Sequence, residues 1–155
     1  MNIETVELKR EDLPRLTFWV RRGYGAVTSH DLPRENPELW FDSVSNRNDR
    51  LDCMVYLYYT QVGLAGLTEI ERETGTARLY LLLGETGYNS LRTGTYAALQ
   101  MLDRAFGDLG LQSVETTVTT EDPDLQSMFP RLGFRETDTG LIITKAEFQK
   151  HRFIF

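Results

Sequence analysis

The sequence predicts an α+β domain, layered α/β/α, in which helices flank a mixed and largely antiparallel central sheet. Three observations carry that reading. Between Cys53 and Leu83, three runs rich in apolar, β-branched and aromatic residues follow one another with short connections, as in an antiparallel meander. From Gly94 the apolar residues recur at three and four, the spacing of an amphipathic helix. Beyond that helix, strand and helix signals alternate to the C-terminus. The implied order is β-α-α-β-β-β-α-β-α-β-β. Neither a Pro/Gly/Ser linker nor a repeat interrupts residues 1–155, so one domain is expected.

Each element has a local reason. Ile3, Val6 and Leu8 mark the first strand. Glu11 or Asp12 caps a helix with Pro14 in its first turn and Leu13, Leu16, Trp19 and Val20 on its apolar side. Residues 22–34 hold two glycines, a proline, Ser and Thr, and read as loop. Asn36-Pro37 opens a second helix carrying Trp40, Phe41 and Val44. The strands Cys53 to Thr60 and Val62 to Ile70 are separated by almost no turn, with Tyr56, Tyr58 and Tyr59 as sheet faces and Cys53 buried. Arg72-Glu73-Thr74-Gly75 turns the chain into the strand Ala77 to Leu83. The long helix presents Ala98, Leu102, Ala105, Phe106 and Leu109, and Gly110 ends it. Ser113 to Thr119 alternates like a half-buried strand. Asp122-Pro123 caps a short helix that closes at Gly133. Phe134 starts a short strand, residues 137–140 turn, and an apolar strand runs from Leu141.

Composition excludes several classes of function. With 17 Lys+Arg against 23 Asp+Glu, the formal charge is −6, which disfavours wrapping nucleic acid. One cysteine, Cys53, cannot form an internal disulfide, and two histidines leave little for a metal site, so no metal is expected. No run approaches the ~18 uninterrupted apolar residues of a membrane span. Met1-Asn2-Ile3-Glu4 lacks the basic-then-apolar start of a signal peptide, and a cytoplasmic location is expected.

The segment Leu82 to Ala98, LLGETGYNSLRTGTYAA, is where chemistry concentrates. A buried strand ends, a glycine- and hydroxyl-rich turn follows, and a helix begins. That order aims backbone N–H groups and a helix dipole at one point, which suits a pyrophosphate-like anion. It matches neither a Walker loop nor a GxGxxG fingerprint.

With this segment in place the chain resembles the GNAT superfamily of acetyl-CoA-dependent N-acetyltransferases along essentially its whole length. It is most similar to the branch that acetylates ribosomal proteins, spermidine and nucleotide-linked amino sugars. The resemblance rests on Val62 to Ile70 (VGLAGLTEI), Ala77 to Gly84, the turn, Asp103 to Leu111, and Glu121-Asp122-Pro123 through Arg131-Leu132-Gly133-Phe134. It implies that Leu82, Leu83 and Gly84 meet the pantetheine arm of acetyl-CoA and polarise the thioester through backbone groups. It implies a coenzyme site continued by Asn89, Ser90, Leu91, Arg92, Thr93, Gly94 and Thr95, with Asp122 and Phe129 beside it. Glu69 stands where relatives carry a general base, with Glu71 the second choice.

Departures from the family pattern are specific. Of the turn's Gln/Arg-x-x-Gly-x-Gly/Ala, only the last position, Gly94, is kept; Asn89 and Arg92 stand at the others. Glycine at 94 permits an unusual φ and close approach of a phosphate, and Arg92 offers it a guanidinium. Phe129 occupies the place of the tyrosine that protonates the leaving thiolate, which leaves water, Ser127 or Tyr88 as substitutes.

The expected activity is transfer of acetyl from acetyl-CoA to a primary amine of an amino sugar or polyamine, or to a protein N-terminus. The alternative is a non-catalytic module with a degenerate coenzyme site. Acceptor contacts are expected from the Arg21 to Asp31 loop, and His151 has no evident partner. Phe153-Ile154-Phe155 reads as an apolar strand, fitting either a cut from a longer protein or a homodimer that completes the sheet.

Overall fold

A computed structural model describes residues 2–23, 25–28, 36–85 and 89–152. The strands are β1 (Ile3–Glu7), β2 (Gly25–Ala26), β3 (Leu51–Leu57), β4 (Thr60–Glu71), β5 (Thr76–Leu83), β6 (Ser113–Thr116), β7 (Arg135–Thr137) and β8 (Gly140–Thr144). The helices are α1 (Leu13–Arg21), α2 (Pro37–Val44), α3 (Ser90–Asp103), α4 (Pro123–Leu132) and α5 (Lys145–Arg152). The sheet order is β1-β3-β4-β5-β6-β8-β7, with β2 added beside β5. All pairs are antiparallel except β5 with β6, so the mixed, largely antiparallel sheet predicted from the sequence is the one observed.

Period-two alternation along the central strands sorts side chains to two faces. On one face Leu79, Leu81 and Leu83 pack with Ala97, Ala98, Met101 and Leu102 of α3, and α4 and α5 extend this layer. On the other, Met54, Leu64, Tyr80 and Leu82 meet Leu13, Leu16 and Trp19 of α1. Edge strand β1 is protected by α3 and the helical turn Arg104–Asp108 that continues it: Gln100 Nε2 donates to the Ile3 carbonyl (2.7 Å) and Arg104 Nη2 to the Thr5 carbonyl (2.6 Å). Cys53 is buried, as expected, with its thiol facing Arg104 Nη1 at 3.0 Å.

Four local readings are corrected. Tyr58 and Tyr59 are not sheet faces: they form the two-residue turn between β3 and β4, both at positive φ (48° and 70°) and 60% and 84% exposed. Residues 25–28, read as loop, include strand β2. After β8 the chain forms helix α5, opened by a reciprocal cap in which Thr144 N–H donates to Glu147 Oε1 (3.0 Å) and Glu147 N–H to Thr144 Oγ1 (3.2 Å). His151 does have a partner: its Nδ1 lies 2.9 Å from the Glu147 carbonyl. Phe153 to Phe155 lie outside the described residues. Among the described residues, no helix is long and apolar enough to cross a membrane.

Candidate active site

The junction from β5 to α3 is built around one glycine. A Cβ on Gly84 would stand 2.0 Å from the Trp19 indole, so only glycine lets α1 settle this close to the strand end. Trp19 is 2% exposed, and its Nε1–H donates to Glu85 Oε1 at 3.1 Å. Arg15, one turn earlier on α1, reaches the same oxygen at 3.5 Å. Gly84 N–H closes the strand end by donating to the Val62 carbonyl at 2.9 Å.

Past residues 86–88, which lie outside the described residues, α3 begins at Ser90. Asn36 and Asp122 cap α2 and α4 with their side chains, at 3.1 and 2.9 Å. Asn89, at the same position of α3, makes no such bond. The first turn closes with Thr93 N–H donating to the Asn89 carbonyl at 2.8 Å. With Arg92 exposed in that turn, the positive end of the helix dipole suits an anion.

The predicted coenzyme residues are partly assembled by this junction. Asn89, Ser90, Leu91, Arg92, Thr93, Gly94 and Thr95 form the first turns of α3, adjoining the strand end at Leu82, Leu83 and Gly84. Gly94 is helical, and what its smallness admits is packing: a Cβ would stand 3.3 Å from Met128 Sδ and 3.4 Å from Leu81 Cδ2. Thr93 is buried and Thr95 Oγ1 donates back to the Leu91 carbonyl at 2.7 Å.

Other predicted residues fall elsewhere. Leu82 and Leu83 are flanked on one side by Leu64 and Gly63 of β4 and on the other by Ala26 and Gly25 of β2. Their ladders are thus occupied on both edges, which corrects the expectation of open backbone groups there. The β2 segment continues this filling: Val27 N–H donates to the Leu81 carbonyl (3.0 Å), and its own carbonyl accepts from Thr119 N–H (3.0 Å). Phe129 is fully buried, edge-on to Phe134 with centroids 5.6 Å apart, so it packs the core and presents no face to a ligand. Asp122 uses its carboxylate to cap α4. Ser127 Oγ donates to the Asp124 carbonyl at 2.6 Å; Tyr88 and His30 lie outside the described residues.

Glu69 and Glu71, the expected bases, lie away from this junction. β4 and β5 run antiparallel with Gly63 opposite Leu83, so Glu69 lies six residues along β4, about 20 Å away at ~3.3 Å per residue. Glu69 sits in a bulge at φ 50°, with a carboxylate that is 74% exposed and 3.5 Å from Arg78. Glu71 is farther still, opposite Thr76. The carboxylate at the junction is Glu85, the only acidic residue between Leu82 and Ala98, and that uniqueness was the available signal. Among the described residues, no cluster of His, Cys, Asp and Glu could hold a metal ion.

Comparison with known proteins gives two positive findings. The family model of the acetyltransferase (GNAT) domain matches residues 3–135. Among solved structures, mutant forms of the spermidine/spermine N-acetyltransferase SpeG from Vibrio cholerae superpose with a TM-score of 0.77 at 16% identity, covering 97% of this chain and 98% of that one. Spermidine N-acetyltransferase from the same organism, in complex with CoA and spermine, gives 0.77 at 17% identity, with 95% and 98% covered. At such identity the likeness is one of fold. No curated protein matches the chain in sequence.

Proposed function

The chain belongs to the GNAT acetyltransferase family, and from that premise we propose that it moves the acetyl group of acetyl-CoA to a primary amine of a polyamine. The observation that carries the coenzyme half is the passage from β5 to α3, with Arg92 exposed in the first turn of the helix and the whole junction inside the family-matched region. The positive end of the α3 dipole and Arg92 supply positive potential where a pyrophosphate is to be held. The acceptor half is supported by the formal charge of −6 and by the similarity in fold to spermidine N-acetyltransferases. Amino sugars and protein N-termini are the competing acceptors.

The chemistry asks little of the protein beyond alignment and proton handling. A primary amine is protonated near neutral pH and must lose a proton before its lone pair can attack. The nitrogen then bonds to the thioester carbonyl carbon and the carbon–sulfur bond breaks. A thiolate is a tolerable leaving group, so a buried phenylalanine at the usual acid position slows turnover without forbidding it.

Free-thiol detection with acetyl-CoA and a panel of spermidine, an amino sugar and a peptide N-terminus tests the reading. Spermidine is expected to release coenzyme A fastest. Release with the amino sugar alone would replace the acceptor, and no release with any amine would remove the transferase.

A further inference from the structure

The strand end at Gly84 separates two environments of opposite sign. The α3 N-terminus lies on one face of the sheet with its dipole end toward an anion. Glu85 belongs to the other face, tied to α1 through Trp19 and Arg15. A reaction between a polyanionic donor and a cationic amine needs this partition, because each substrate is attracted to one side and repelled from the other.

Glu85 is held more firmly than a surface carboxylate ordinarily is. The indole that donates to it is 2% exposed and is seated on Gly84 so closely that no β-carbon fits between them. The contacts of the carboxylate with Trp19 and Arg15 both fall on Oε1. Its side chain remains 45% exposed, so the group is aimed from one side and reachable from the other. An indole N–H neutralises no charge, and the partly exposed Arg15 sits at 3.5 Å, long for a strong pair.

We infer that Glu85 seats the ammonium of the acceptor at the end of β5 and takes its proton, an assignment that rests on the acetyl-transfer reading above. The first proton of the ammonium passes to Glu85 Oε2 and from there to solvent. The nitrogen–carbon bond then forms, and as the tetrahedral adduct collapses the carbon–sulfur bond breaks. The second proton lost by the nitrogen goes to the departing thiolate, giving the amide and the free thiol. Trp19 acts as a positioning residue, fixing the carboxylate that touches the amine.

The test compares the parent protein with Glu85→Gln and Trp19→Phe, measuring acetyl-CoA binding by calorimetry and spermidine acetylation by thiol release. Glu85→Gln keeps an oxygen for the indole but loses the charge and the basicity. Acetyl-CoA affinity is expected to stay within about twofold of the parent in both variants, since the anion site is on the opposite face. For spermidine, kcat/KM is expected to fall about 100-fold or more in Glu85→Gln, the usual cost of a lost acid–base group. Trp19→Phe is expected to raise KM more than it lowers kcat, because the carboxylate remains but is no longer aimed. Parent-like kcat/KM in Glu85→Gln overturns the inference while leaving acetyl transfer standing. Failure of the parent itself to release thiol overturns both, and the two failures appear in different proteins.

Discussion

Gly84 and Cys53 make the clearest statements at the scale of single residues. Gly84→Ala puts a methyl group into the Trp19 ring, and the resulting overpacking should cost about 2–3 kcal/mol in urea unfolding. Burial pushes the Cys53 thiol up to about 11, against an opposing pull from Arg104. Cys53 should therefore resist Ellman's reagent in the native state near pH 8 and react fully once the chain is unfolded. Burial, together with the Asp52 carboxylate, also raises the Tyr80 hydroxyl. Both groups favour the protonated form when folded: the Cys53 contribution to stability is complete below the ordinary thiol value of 9.0 and declines as pH climbs toward 11, and the Tyr80 contribution has the same sign, declining only above the ordinary phenol value of 10.0. Chemical denaturation at pH 8 and pH 10.5 checks the sign: stability should be lower at the higher pH.

Between elements, buried polar pairs matter more than exposed ones. Arg50 and Asp52 pair at 2.8 Å with side chains only 4% and 10% exposed, and Tyr80 also donates to Asp52. Asp52→Ala removes the carboxylate that pairs with the buried Arg50 and accepts from the Tyr80 hydroxyl, and a loss of about 3–5 kcal/mol is expected by thermal or urea unfolding. Asp122→Ala removes the cap of α4 and should cost about 1 kcal/mol. What could be read at this scale from the sequence followed local chemistry. Asn36-Pro37 and Asp122-Pro123 begin helices as their capping residues require, and Gly133 ends α4 at φ 114°. The Thr144-to-Glu147 capping box announced α5 in the same language, but the apolar run before it drew the strand onward. Strand β2 carried no such signal, since Gly25 and Ala26 are strand residues only because β5 offers them an edge.

Across the whole molecule, the mixed sheet with helices on both faces was legible because the meander and the helical period are strong, repeated patterns. The site was legible in halves. Gly84 and the first residues of α3 lie near one another because they are close in the chain. Glu69 did not join them, because its distance from Leu83 depends on the register of β4 against β5, which only pairing reveals. The homodimer expectation rests on Phe153 to Phe155, which lie outside the described residues; β8 before them is paired by β6 and β7 and leads into α5.

The α3 N-terminus as the coenzyme site is the feature on which acetyl transfer by this chain depends most directly. Calorimetric titration of acetyl-CoA into the protein and into Arg92→Ala measures it. Micromolar binding, weakened by the substitution because a guanidinium–phosphate pair is lost, is the predicted result. Absence of binding at millimolar acetyl-CoA would contradict it, leaving an acetyltransferase fold without its acetyl donor.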